Sequence, residues 1–181
     1  MLRLQNIVLL FCFFFTTVFA SAIVTRDITT LVDSLNAEGS AMETLTTQTS
    51  AFTSADCSVL GGLLTQTVLL ENKIQQAGTD IAASPGSLTA LECDQIKTAI
   101  SNLLPAHSLG LYLTSAKKPD FIACGLPMAG IKDGMTNMRA KTATIFTNLI
   151  PKVSGACALS IRYSRNALLG YWDLAITGYQ W

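Results

Sequence analysis

The chain has one histidine, His107, and Ser108 follows it, so any Ser–His–carboxylate or Cys–His hydrolase would have to be assembled around this pair. No Gly-x-Ser-x-Gly elbow surrounds Ser108, and adjacency in sequence is not the geometry of a triad. His107 is expected beside Pro105 as a capped or exposed side chain. His-Glu-x-x-His, P-loop and Rossmann glycine patterns are absent from the sequence. The acidic residues are scattered along helical faces, and nothing singles out a two-carboxylate glycosidase pair. The expectation is a protein that is not an enzyme and needs no cofactor or metal.

The remaining candidates for chemistry are the cysteines. Residues 1–22 read as a secretory signal peptide: Arg3 is the positive start, Ile7 to Ala20 an apolar run, and Ala20-Ser21-Ala22 a small-residue cleavage site. The run is too short, and too soon followed by polar helix, for a membrane anchor. Cys12 would leave with this leader, and Cys57, Cys93, Cys124 and Cys157 would remain. An even number of cysteines in a secreted chain, with no Cys-x-x-Cys pair, reads as two disulfides rather than a metal site.

Composition narrows the partners. Lys plus Arg and Asp plus Glu are both 12, with no basic stripe, so nucleic acid and anionic membranes are poor partners. Thr, Ser, Gln and Asn fill the polar positions, as on a secreted and O-glycosylated surface. No Asn-x-Ser/Thr sequon occurs. The ending Gly178-Tyr179-Gln180-Trp181 has no apolar tail, so a lipid-anchor signal is not expected.

The elements that must position any site are helices. Residues 23–181 are expected to form a single all-α domain, an antiparallel bundle of about five long helices. Thr25 to Phe52 carries Ile28, Leu31, Val32, Leu35, Met42, Leu45 and Phe52 at helical spacing, with Gly39 as a mild weakness. Ser58 to Ile81 carries Leu60, Leu63, Leu64, Val68, Ile74 and Ile81, with Asp56 or Ser58 as N-cap and a Pro85-Gly86 breaker after it. Ser87 to Ser115 carries Ile96, Ile100, Leu103, Leu104 and Leu111. Pro105 should kink or split that helix. Lys117-Lys118-Pro119-Asp120 reads as a turn, with the lysines at a helix C-terminus and Asp120 capping the next helix. Phe121 to Ile150 follows, regular only from near Met128 because of Gly125, Pro127, Gly130 and Gly134, and stopped by Pro151. Ser154 to Tyr179 closes the chain, with Leu159, Tyr163, Ala167, Tyr171 and Ala175 as its expected stripe.

Short connections make consecutive helices antiparallel. Cys57 and Cys124 then open helices at one end of the bundle, and Cys93 and Cys157 at the other. The expected bridges are Cys57–Cys124 and Cys93–Cys157, because Cys57–Cys93 would have to span most of a helix, far beyond the ~7 Å limit between Cα atoms.

Arg26-Asp27-Ile28 opening a Thr/Ser-rich helix, and Leu113-Thr114-Ser115-Ala116-Lys117-Lys118-Pro119-Asp120-Phe121 between two long helices, resemble the fungal hydrophobic surface-binding protein A family, also called cell-wall galactomannoproteins. The similarity covers almost the whole of residues 23–181. It implies a secreted fungal five-helix protein that binds hydrophobic surfaces or the fungal cell wall. It also implies, as in some members, fatty acids or other lipids held in an apolar tunnel between helices. The four cysteines, and the lack of a Ser/Thr-rich tail with an anchor signal, depart from that pattern.

Apolar stripes ordinarily fill a close-packed core. Here Met42, Met128, Met135 and Met138 offer adaptable walls, while Pro105 and the glycines before Met135 disturb close packing. The expected lipid-binding residues are Met42, Leu64, Ile100, Leu104, Met135 and Met138, and a charge at Leu104 or Met135 should abolish uptake. Lys117, Lys118 or Arg139 could anchor a ligand carboxylate. Tyr163, Tyr171, Trp172, Tyr179 and Trp181 read as core plus an exposed tip, or as an adhesive face or cavity lid. The first expectation is a carrier of fatty acids or similar amphiphiles. The alternatives are a surface-coating protein without a defined pocket and a secreted effector directed at a host.

Overall fold

The computed structural model describes residues 28–84 and 86–179. The leader 1–22, Arg26-Asp27, Pro85 and Trp181 lie outside the described residues. Among those described there is no strand. The helices are α1 (Ile28–Ala51), α2 (Leu60–Ala83), α3 (Ala90–Ala116), the short α4 (Lys118–Ala123), α5 (Met128–Leu149) and α6 (Gly155–Gly178). Single 3-10 turns at Cys57–Val59 and Ile150–Lys152 lead into α2 and out of α5. No described helix is long and apolar enough to cross a membrane.

Local chemistry explains the boundaries. Asp56 caps the 3-10 turn before α2 by accepting from the Ser58 N–H at 3.0 Å. That bond and one from the Ser58 hydroxyl hold the Asp56 carboxyl below the usual carboxylate range. At α3 the cap is Thr89. Thr89 and Glu92 satisfy each other's backbone N–H groups in a full capping box. Pro105 does not split α3. Pro105 and Ser101 are both exposed, so the Ser101 carbonyl that lacks an N–H partner faces water. The Lys117–Asp120 turn is instead the start of α4, with Pro119 in its first turn, where a missing N–H is harmless. Asp120 therefore does not cap α5. It accepts from the Ser54 N–H at 2.9 Å and ties the loop after α1 to α4.

The long helices pack in a ring: α1 against α2 and α3, α3 against α6, α6 against α5, and α5 against α2. Consecutive long helices alternate in direction, so α1, α3 and α6 end where α2 and α5 begin. Two lysines close that end. Lys117 Nζ donates to Phe52 O at 2.6 Å and Lys118 Nζ to Gly178 O at 2.9 Å. Each cation thus sits at a helix C-terminus, as the dipole favours, but the termini belong to α1 and α6 and not to α3. Cys57 bonds Cys124 at this end, with Cα atoms 5.5 Å apart, and Cys93 bonds Cys157 at the other, with Cα atoms 6.3 Å apart. These are the pairs that alternating helix direction requires. They close loops of 67 and 64 residues, each constraining the unfolded chain by about 4 kcal/mol in the chain-entropy view.

Two stripes differ from expectation. The inward face of α6 is Ile161, Ser164, Leu168, Trp172, Ala175 and Tyr179, whereas Leu159 and Tyr163 are exposed. On α2, Leu64 and Val68 are 54% and 56% exposed, and Leu70 takes the core position. His107 is neither capped nor exposed. It is fully buried, with Nε2 3.2 Å from Oε1 of the equally buried Glu38. Gly39 has a packing reason, since a Cβ there would meet Leu103 Cδ2 at 3.3 Å.

Candidate ligand cavity

A ring of five helices leaves its axis to be filled by side chains, and at the Cys57–Cys124 end they do not fill it. A cavity of about 420 Å³ opens there. Met42, Leu45 and Thr49 of α1 form one wall, and residues from Leu60 to Leu70 of α2 another. Leu111 and Thr114 of α3, Phe121 of α4 and Trp172 of α6 complete the far side. Gly130, Ile131, Gly134, Met135 and Met138 of α5 form the last wall.

Three local features keep the space open. Gly130 and Gly134 put bare backbone in the wall, and a Cβ on Gly134 would meet nothing within 4 Å. Phe52 stacks on Phe121 with ring centroids 5.0 Å apart, which holds α4 across the end of the bundle. The Asp120 carboxylate reinforces this brace. The bonds it accepts from Ser54, with a smaller contribution from Lys117, hold its carboxyl below the usual range.

The wall is almost wholly apolar. Its polar hydrogens belong to Thr49, Thr67, Thr114 and Trp172, and no charged side chain lines it. Several charged groups of the neighbouring helices are engaged elsewhere. Arg139 makes a two-pronged pair with Asp173 at 2.5 and 2.9 Å, joining α5 to α6. Lys141 pairs with Glu71 at 2.8 Å, joining α5 to α2. Lys117, Lys118 and Arg139 are therefore structural ties and are not poised as carboxylate anchors.

Of the residues expected at a lipid site, Met42, Leu64, Met135 and Met138 come together in this wall, with Leu64 at the mouth. Ile100 and Leu104 do not line it. Ile100 is fully buried in the core and Leu104 packs against that core. Met128 is buried outside the lining. Sequence periodicity missed Thr49 and Leu70 as wall residues, whereas Gly134 belongs to the glycine cluster expected to loosen packing and Trp172 to the aromatics read as core or cavity lid. A second hollow of about 350 Å³ lies beside Cys93–Cys157, but its polar lining is internally paired, with Lys97 on Asp94 at 2.7 Å. Among the described residues no cluster of His, Cys, Asp or Glu could hold a metal.

No family model matches the chain, and no curated protein matches it in sequence. Solved structures do match its fold. AFMP4P in complex with palmitic acid superposes with a TM-score of 0.79 at 21% identity, over 85% of this chain and 100% of that one. Ligand-binding domain 2 of the Penicillium marneffei MP1 protein, complexed with multiple arachidonic acids, gives 0.76 at 15%, over 86% and 97%. Domain 1 of the same protein, complexed with arachidonic acids, gives 0.74 at 13%, over 82% and 95%. At these identities the likeness establishes the helical fold.

Proposed function

We propose that this protein binds fatty acids or similar amphiphiles in the cavity between its helices and carries them without chemical change. The observation that carries this is the wall itself: about 420 Å³ of space bounded by Leu, Ile, Met and Phe side chains and bare glycine backbone. A void that large in a core would normally collapse or be filled. An acyl chain replaces water there at about 0.8 kcal/mol per CH₂ before ordering costs. The fold-matched structures hold palmitic and arachidonic acid, which supports the same ligand class here. The signal-type leader at 1–22 supports work outside the cell, and the family resemblance supports a fungal source and the fungal cell wall as its setting. A carrier needs no catalytic group, consistent with His107 being spent on a buried pair.

The test is uptake of a fluorescent fatty acid by the protein and two variants. Met135→Glu charges the wall and should abolish uptake. Leu104→Glu lies outside it and should leave uptake intact in whatever fraction folds. Equal uptake by both variants would remove the cavity as the site. A second proposal, coating of hydrophobic solids, draws on the exposed apolar residues Val59, just before α2, and Leu64, Val68 and Leu69 on it. It predicts adsorption that Met135→Glu leaves unchanged.

A further inference from the structure

Two hydrogen-bond donors in the cavity wall are unused. The Thr67 and Thr114 hydroxyls donate one turn back, to Leu63 O at 2.9 Å and Gly110 O at 2.8 Å. Thr49 is 2% exposed as a residue; its hydroxyl makes no hydrogen bond among the described residues, and its oxygen keeps slight exposure. Trp172 is 1% exposed, and its Nε1 has no partner. Folded proteins rarely leave a fully buried donor such as this indole N–H unsatisfied, because it gives up its hydration for nothing. Both residues line the cavity, from α1 and α6. The indole is also held from behind. The His107 ring packs edge-on to it with centroids 5.7 Å apart, and His107 Nε2 lies 3.2 Å from Glu38 Oε1.

We infer that Thr49 and Trp172 hold the polar end of the bound amphiphile, and that this end is an uncharged oxygen, a hydroxyl or carbonyl, rather than a carboxylate. The inference rests on the proposed reading of the cavity as an amphiphile site. Two neutral donors satisfy the lone pairs of an alcohol or carbonyl oxygen. They do not offset the desolvation of a full negative charge, which needs a cation or several charge-assisted bonds. No charged side chain lines the cavity, and three cations at this end and side of the bundle are committed: Lys117 to Phe52, Lys118 to Gly178 and Arg139 to Asp173. A fatty acid placed head-inward therefore enters protonated, because burial disfavours its charged form. Its affinity rises as pH falls, while that of an alcohol of equal length does not change.

The experiment is competition against a fluorescent acyl probe on the delipidated, full-length protein, with hexadecane, hexadecanol and palmitic acid as competitors. At neutral pH hexadecanol is expected to compete best, at roughly tenfold lower concentration than hexadecane. Trp172→Phe keeps the aromatic shape and removes the donor. Thr49→Val removes the hydroxyl at nearly constant volume. Each should narrow the alcohol-over-hydrocarbon gap several-fold. Palmitic acid outcompeting hexadecanol at neutral pH, or an unchanged gap in both variants, would overturn the uncharged-head inference while leaving the cavity as a lipid site. Failure of the probe and all three competitors to bind would overturn both.

Discussion

His107 Nε2 lies 3.2 Å from Glu38 Oε1, and neither side chain reaches solvent. The pair joins α1 to α3 within a largely apolar core, and the His107 ring packs against Trp172 at the cavity wall. Removing one partner leaves the other polar group buried alone, which costs about 1–3 kcal/mol. Glu38→Ala and His107→Ala should each destabilise the fold on that scale in urea unfolding. The double substitution Glu38→Leu with His107→Leu should recover most of the loss. A single variant as stable as the parent would mean the pair contributes nothing.

At Gly110 the backbone of α3 lies close against α1 side chains. A Cβ there would stand 2.6 Å from Thr46 Oγ1 and 3.0 Å from Met42 Cε. Alanine ordinarily stabilises a helix over glycine by about 1 kcal/mol. Here the clash should reverse the sign, so Gly110→Ala should lose about 1–3 kcal/mol. Adding Thr46→Ala should return part of it. A rise in melting temperature for Gly110→Ala alone would contradict the close approach.

Gly134 predicts the opposite combination. Its missing side chain opens on the cavity and meets no neighbour. Gly134→Leu should keep or slightly raise stability, since leucine is the better helix former, by about 0.8 kcal/mol. The same change should sharply reduce lipid uptake, because the side chain occupies the ligand's space. Unfolding and binding titrations on one preparation separate the two effects. Unchanged uptake would show that the ligand lies elsewhere.

Tyr179 makes stability depend on alkaline pH. It is buried, its hydroxyl donates to Thr114 O at 2.7 Å, and burial pushes its phenol up to about 12 from an ordinary 10.0. The folded state thus holds this proton more tightly than the unfolded chain. The resulting stability is whole below about pH 10 and is lost as pH rises through about 12. Tyr179→Phe should flatten that part of the stability–pH curve, as followed by denaturant midpoints. An identical alkaline decline in both proteins would assign it to other groups.

The helices were legible because long apolar periodicity survives in a single sequence, and alternating direction then forced the pairing of Cys57 with Cys124 and Cys93 with Cys157. Faces were less legible where polar residues go inward. Glu38, Thr49 and His107 are buried, so counting only apolar residues left gaps in the α1 and α3 stripes. On α6, Leu159 and Tyr163 attracted the stripe outward although Ile161, Leu168 and Trp172 face in. Ile100 and Leu104 fitted a lipid wall by type, yet they lie outside the lining. Only the ring order of the helices decides which buried faces meet a void and which meet each other.

The central claim is that a lipid occupies the cavity beside Met135 and Trp172. Native mass spectrometry of the protein purified from a secreting host, with organic extraction of the same sample, tests it most directly. A discrete adduct of a few hundred daltons, recovered as a long-chain amphiphile and absent from Gly134→Leu, is the predicted result. A bare mass that stays bare after incubation with palmitic acid and hexadecanol would contradict it.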